Sequence, residues 1–256
     1  MEEPSAPIPL PPKLASKTPI LLIVLAVALM VAICWLAVQA ALERTRRAYC
    51  CNNLMQSGLA LLMYESVHGA FPPAASTDKR GKPMMSWRVA ILPYLGRTDL
   101  YEQYDRDQPW DSPRNRAVGN TALRLFRCPS DPGGTTNPTE TNYVRIVGKD
   151  TVGGTPNERV SLRDITDGSD NTILVVEVSG LHINWEEPRD VTVEEFMEIV
   201  SKSATQGRAS PHPGGFNAIM ASGRVCFIKN TIDPKTLRSL LLRNDGQPVG
   251  DFESLP

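Results

Sequence analysis

The run "ILLIVLAVALMVAICWLAVQAA", Ile20 to Ala41, constrains this chain more than any other stretch. It holds no charge, and Gln39 is its only strongly polar residue. At 1.5 Å per residue it makes a helix of roughly 30 Å, the thickness of a bilayer core. Its rivals are a helix buried in a soluble core and a cleaved signal sequence. Val38-Gln39-Ala40 has the small-residue form of a cleavage site. However, the run outlasts the usual apolar region of roughly 7–15 residues. We therefore expect a retained transmembrane helix over residues 20–41, with the lipid bilayer as its first partner. The preceding segment, residues 1–19, carries Pro4, Pro7, Pro9, Pro11, Pro12 and Pro19 and reads as an extended tail. Lys13 and Lys17 precede the span and Arg44, Arg46 and Arg47 follow it. A difference of one charge does not orient the helix by the positive-inside rule.

Beyond the span the pattern stays helical. Cys51, Leu54, Met55, Gly58, Leu59 and Leu62 recur at the spacing of one helix face, which predicts one helix from about Pro19 to Val67. "HGAFPP" ends it, with Gly69 placed to cap and Pro72 and Pro73 beyond. Residues 42–256 then read as one domain. "SWRVAILPYL" predicts a short helix broken near Pro93, and Thr98 reads as the N-cap of a second whose Leu100, Tyr101 and Tyr104 share a face. "PWDSPRN" reads as a turn and "LRLFRC" as a short strand. "TNYVRIVG" and "NTILVVEVS" are β-branched runs of strand length, and "GFNAIMASGRVCFIKN" predicts a hairpin turning at Ser222-Gly223. "TVEEFMEIV" predicts a helix with a Thr192/Glu195 capping box, and Asp233-Pro234 opens another. The fold class expected is α+β, with a long N-terminal helix on an antiparallel sheet and short accessory helices.

These blocks resemble one family. "RRAYCCNNLMQSGLALLMYESVHGAFPP", "SWRVAILPYL", "LYEQYD", "FRCPSDP", "TNYV", "ITDGSDNTILVVE" and "HPGGFNAIMASGRVCFI" follow the order seen in the DUF1559 family, pilin-like and pseudopilin-like proteins abundant in planctomycetes. The resemblance covers about residues 44–245. It implies a pilin-like fold and membrane attachment, and it implies no established activity. Members usually open with a prepilin-type signal, Gly-Phe-Thr-Leu-Ile-Glu-like; this chain has neither the Gly-Phe nor a glutamate early in its apolar run. The resemblance therefore does not extend to the standard processing by a prepilin peptidase. The closing motif is His, nine residues, Asp-Gly; here His212 is followed at that spacing by Ser222-Gly223. Either the aspartate binds or caps something that this chain has lost, or it shapes a turn that serine also shapes. Asp167, Gly168, Asn171, Thr172, Glu177, His212, Gly214, Gly215 and Gly223 carry the family motifs.

The resemblance also sorts the five cysteines. Cys34 lies in the apolar span. Cys50 and Cys128 match family positions and are implied to pair, which suits an extracytoplasmic domain. Cys51 and Cys226 are both extra to the family pattern, which suggests a second bridge; two buried free thiols are the alternative. No C-x-x-C occurs, which weakens zinc-ribbon and thioredoxin readings.

Other chemistry is sparse. With Gly168 at loop position six, an EF-hand would place Arg163, Ile165 and Leu174 at ligand positions, so "DITDGSDNT" reads as a turn. Glu177 is a lone acid in a strongly apolar strand. His68, His182 and His212 form no metal pair at helical spacing, and His212 is expected to bond across the hairpin. There is no nucleophile elbow, Walker loop or dinucleotide fingerprint. The tryptophans and tyrosines of the domain read as core, with a ligand groove as the alternative. A net charge of −1 gives no footprint for nucleic acid. We expect no enzyme, metal or cofactor. The function expected is a structural or interaction protein, pseudopilin-like, in the cytoplasmic membrane with its domain outside. Its partners would be itself or other pilin-like subunits. The alternative is a solute- or glycan-binding module using a groove between helix and sheet.

Overall fold

The computed structural model describes residues 18–131, 137–206, 210–250 and 252. The proline-rich tail, apart from Thr18 and Pro19, lies outside them, as do Lys13 and Lys17. The chain forms two compact units, Met1–Arg44 and Thr45–Pro256. Helix α1, Thr18–His68, supplies the described part of the first and opens the second. In the first unit the apolar side chains from Leu22 to Val38 are exposed, and the helix is long and apolar enough to cross a membrane.

In the second unit α1 ends where Gly69 turns left-handed (φ 75°) and donates its N–H to Glu65 O. The elements that follow are β1 (Ala75–Thr77), β2 (Pro83–Ser86), α2 (Trp87–Ala90), α3 (Thr98–Gln103) and α4 (Pro113–Gly119). Next come β3 (Glu140–Thr141), β4 (Tyr143–Val144), β5 (Ile146–Val147), β6 (Ile173–Glu177), β7 (Ile183–Asn184) and β8 (Val191–Thr192). The last are α5 (Val193–Gln206), β9 (Gly215–Met220), β10 (Val225–Lys229) and α6 (Pro234–Leu241). The main sheet is antiparallel, ordered β10-β9-β6-β4. Among the described residues there are also three two-stranded pairs, of which β5–β8 is parallel. This is the expected α+β architecture, consistent with a pilin-like fold.

Strand alternation divides the core between the two faces of the sheet. Tyr143, Val175 and Ile219 point toward Leu54 and Leu61 of α1. Val144, Val176, Ala218, Met220, Cys226 and Ile228 point toward Phe196 of α5 and Leu240 of α6. Gly58 lets α1 close on the sheet, since a Cβ there would lie 1.9 Å from Ile219 Cδ1. The buried stripe of α1 is Cys50, Leu54, Ser57, Gly58, Ala60 and Leu61. It is rotated from the face expected, because Met55 and Leu59 are 52% and 57% exposed.

Local chemistry set most of the elements. Thr192 and Glu195 make the reciprocal capping bonds, and Asp233 caps α6 by accepting from Thr236 N. Two expectations fail, and a third, the turn at "PWDSPRN", holds at Trp110-Asp111 but runs on into a helix. "LRLFRC" forms a 3-10 turn, Arg124–Phe126, followed by a loop. "PWDSPRN" leads into α4, with Ser112 accepting from Asn115 N and Pro113 at the first position. Thr98 is the first helical residue rather than the cap, and Arg97 precedes it without a side-chain bond.

Candidate functional site

Residues from four segments meet where α1 crosses the end of β6. Cys50 of α1 and Cys128, just after the 3-10 turn, form a disulfide with Cα atoms 5.2 Å apart. The Cys128 loop is held by side-chain amides. Asn142 Oδ1 accepts from Cys128 N at 2.9 Å, and Asn53 Nδ2 donates to Arg127 O at 2.9 Å. Tyr143 Oη donates to Cys50 O at 3.3 Å. Burial, and then the nearby Glu177, push the Tyr143 phenol well above its ordinary pKa, so it stays a donor.

Glu177 closes β6 on the α1-facing side of the sheet, opposite Tyr143. His212 sits in the loop before β9. Its Nε2 lies 3.4 Å from Cys128 Sγ and 3.4 Å from Glu177 Oε1. Asn217 Nδ2 donates to Glu177 Oε2 at 2.7 Å, and Ser210 Oγ reaches the same oxygen at 3.5 Å. Glu177 Oε1 accepts no hydrogen bond from the described residues. One donor atom from each of Cys50, Cys128, Glu177 and His212 falls within 4.8 Å of the others, and all four residues are buried.

The structure thus joins residues that entered the sequence argument separately, as a staple and as motif positions. His212 turns its ring toward this cluster. Gly214 and Gly215 carry the chain from it into β9. The other motif residues lie elsewhere. Gly168 forms a left-handed turn, Asn171 Nδ2 donates to Asp167 O, and Thr172 Oγ1 donates to Gly168 O. Asp167 Oδ2 and Oδ1 accept from Asp245 N and Gly246 N, so this acid holds the C-terminal segment. Gly223 turns the hairpin beside Ser222, whose hydroxyl donates to Asp170 Oδ1 at 2.6 Å. Serine at this position therefore shapes and anchors the turn.

The second bridge is absent. Cys51 and Cys226 are free thiols. Cys51 Sγ donates to Asn217 Oδ1 at 3.5 Å, on the α1 side of the sheet. Cys226 pairs with Ala218 and packs near Met220 on the α5/α6 side. Helical spacing put Cys51 toward the sheet, but strand alternation turned Cys226 to its far face, so a bond between them would have to pass through the sheet. Burial raises both thiols, Cys226 to about 11.

A second buried polar group escaped the sequence reading. Arg88 donates from Nη2 to Asp190 Oδ1 at 2.6 Å, and from Nε and Nη2 to Tyr143 O. Asp190 Oδ1 also accepts from Trp87 Nε1 and Arg145 N. Arg145 extends to Pro72 O and Val152 O, both at 2.6 Å. Desolvation lowers Arg145 to about 10 and raises Asp190. Nearby, Glu186 packs against Gly119, neither of its carboxyl oxygens takes a hydrogen bond from another described residue, and burial raises it to about 7. Arginines inside the apolar runs "SWRVAIL" and "YVRIVG" were the available signal. Trp87, Trp185, Tyr104 and Tyr143 are core, with Trp87 and Trp185 flanking Phe126, while Tyr94, Tyr101 and Trp110 are half-buried and Tyr49 is exposed.

Residues 39–195 match the family described as "Protein of unknown function (DUF1559)". The chain belongs to the DUF1559 family. Searches of curated proteins and of solved structures found no match. A family member with an N-terminal apolar helix fits a membrane-anchored protein, and the family description names no activity.

Proposed function

We propose that this protein is a pseudopilin-like structural subunit, anchored in the cytoplasmic membrane with Thr45–Pro256 outside, that associates laterally through α1. One observation carries the reading. Met55, Leu59, Met63 and Val67 recur every fourth residue along one face of α1 and are 45–68% exposed, although the opposite face is packed on the sheet. Single exposed apolar residues are ordinary, but a continuous helical stripe of them marks a docking face. The Cys50–Cys128 disulfide supports the outward placement, because such bonds persist in oxidising compartments. Solute or glycan capture between helix and sheet has less support, since Gly58 and Ile219 meet at that crossing.

The test is bismaleimide cross-linking of full-length protein in native membranes, with Cys34 and Cys51 replaced by serine. Leu59→Cys should give dimers or ladders. The exposed control Glu198→Cys, on α5, should not. Adding Met55→Glu should abolish the Leu59 product. Equal cross-linking at both positions would remove the basis for lateral assembly.

A further inference from the structure

We propose that Cys50, Cys128, Glu177 and His212 form a buried tetrahedral Zn²⁺ site once the Cys50–Cys128 disulfide is opened. The donor set is two sulfurs, one imidazole and one carboxylate, the ligand types zinc takes in proteins. Zinc–ligand bonds of about 2.0–2.3 Å place tetrahedral donors about 3.6 Å apart for N···S and about 3.3 Å apart for N···O. His212 Nε2 lies 3.4 Å from Cys128 Sγ and 3.4 Å from Glu177 Oε1. Two edges of the tetrahedron are therefore already built. Cys128 stands in a loop, so once the bond opens its side chain can turn about His212 to widen the S···S edge without moving a helix or strand.

Glu177 supplies an independent pointer. The residue is fully buried, its Oε2 is held by Asn217, and its Oε1 faces the cluster with no hydrogen bond from the described residues. The His212 ring nitrogen, 3.4 Å away, is the nearest polar neighbour of that oxygen, and a cation held between them would satisfy both. Asn217 plays the part of an outer-shell group that orients a ligating carboxylate.

The chemistry balances as follows. A dithiol or phosphine reductant delivers two electrons and, with two protons from solvent, converts the disulfide to two thiols. Zn²⁺ displaces both thiol protons and takes the neutral His212 Nε2, with the ring proton on Nδ1. In the oxidised chain each sulfur is bonded to the other and donates poorly, so redox state decides whether the site exists.

The test uses the full chain in detergent micelles, reduced with a phosphine and dialysed against Co²⁺ as the spectroscopic stand-in for Zn²⁺. We expect one Co²⁺ per reduced chain, with thiolate-to-cobalt charge transfer and tetrahedral d–d bands, and none in the oxidised chain. His212→Ala and Glu177→Gln should each weaken binding at least about tenfold, since even an outer-shell loss has that effect. Cys51→Ser and Cys226→Ala should bind as the parent does. Near-UV circular dichroism of each oxidised variant checks its fold. His212→Cys, which keeps a ligand, should retain the metal and strengthen the charge-transfer band. No cobalt on the reduced parent, unchanged affinity without the histidine, or an unchanged band in His212→Cys would each overturn the site.

Discussion

The two buried polar groups near Tyr143 treat charge differently. On one side Asp190 gathers Arg88, Trp87 and the Arg145 backbone onto a single oxygen, and the two guanidinium groups continue to backbone carbonyls of distant segments. Positive charge is part of that cluster, even though Asp190 Oδ2 and Arg145 Nε have no hydrogen-bond partner among the described residues. On the other side Glu177 meets a histidine and a disulfide, and the oxygen it turns toward them accepts no described hydrogen bond. The first arrangement ties chain segments together. The second holds donors around a common point. A buried charge, or one unsatisfied atom, therefore does not by itself mark a site; the second cluster differs in having four ligand atoms that converge.

That contrast can be broken in order of expected effect. Asp190→Ala should cost about 5 kcal/mol, the upper end for breaking a buried ion pair, because two arginines lose their counter-charge. Urea unfolding measures it; a loss near that of a surface residue would mean that the arginines carry no structural load. Cys128→Ser should cost on the order of 4 kcal/mol, since the bridge closes a long loop. The separation of the two cysteines is 78 residues. An equal loss in the parent under reductant, with zinc absent, would show that the staple and not the side chain is responsible.

The third prediction has the opposite sign. Glu186 binds its proton more tightly in the folded state, at about 7 against an ordinary 4.5. Its contribution to stability is therefore fully present below about pH 4.5 and is lost as pH rises through about 7. Glu186→Gln should raise stability above pH 7 by about 3 kcal/mol and flatten that part of the pH dependence. Thermal melts at pH 5 and pH 8 read the difference; parallel shifts at both values would sink the idea.

Much of the fold was legible because its signals are local. The capping pairs Thr192/Glu195 and Asp233/Thr236, and the hairpin at Ser222-Gly223, each depend on residues within a few positions. The 3-10 turn at Arg124–Phe126 was not legible, because Asn142 and Asn53 hold the surrounding backbone from far along the chain. Helix α1 was foreseen almost to the residue, while its buried face was misassigned. Met55 and Leu59 fit the apolar pattern as well as the packed residues do, and only the sheet chose between them. The same parity argument decided Cys226, whose strand position turned it away from Cys51.

Sequence alone determined that an apolar helix leads into an α+β domain of the DUF1559 type, since periodicity, caps and ordered motifs are carried by neighbouring residues. It also supplied every member of the cysteine, glutamate and histidine cluster, each under a separate heading. Only the tertiary structure decided that they meet. Cys50, Cys128, Glu177 and His212 come from a helix, a loop, a strand end and a second loop. Their proximity follows from how α1 closes on the sheet over Gly58, a contact that no local pattern encodes.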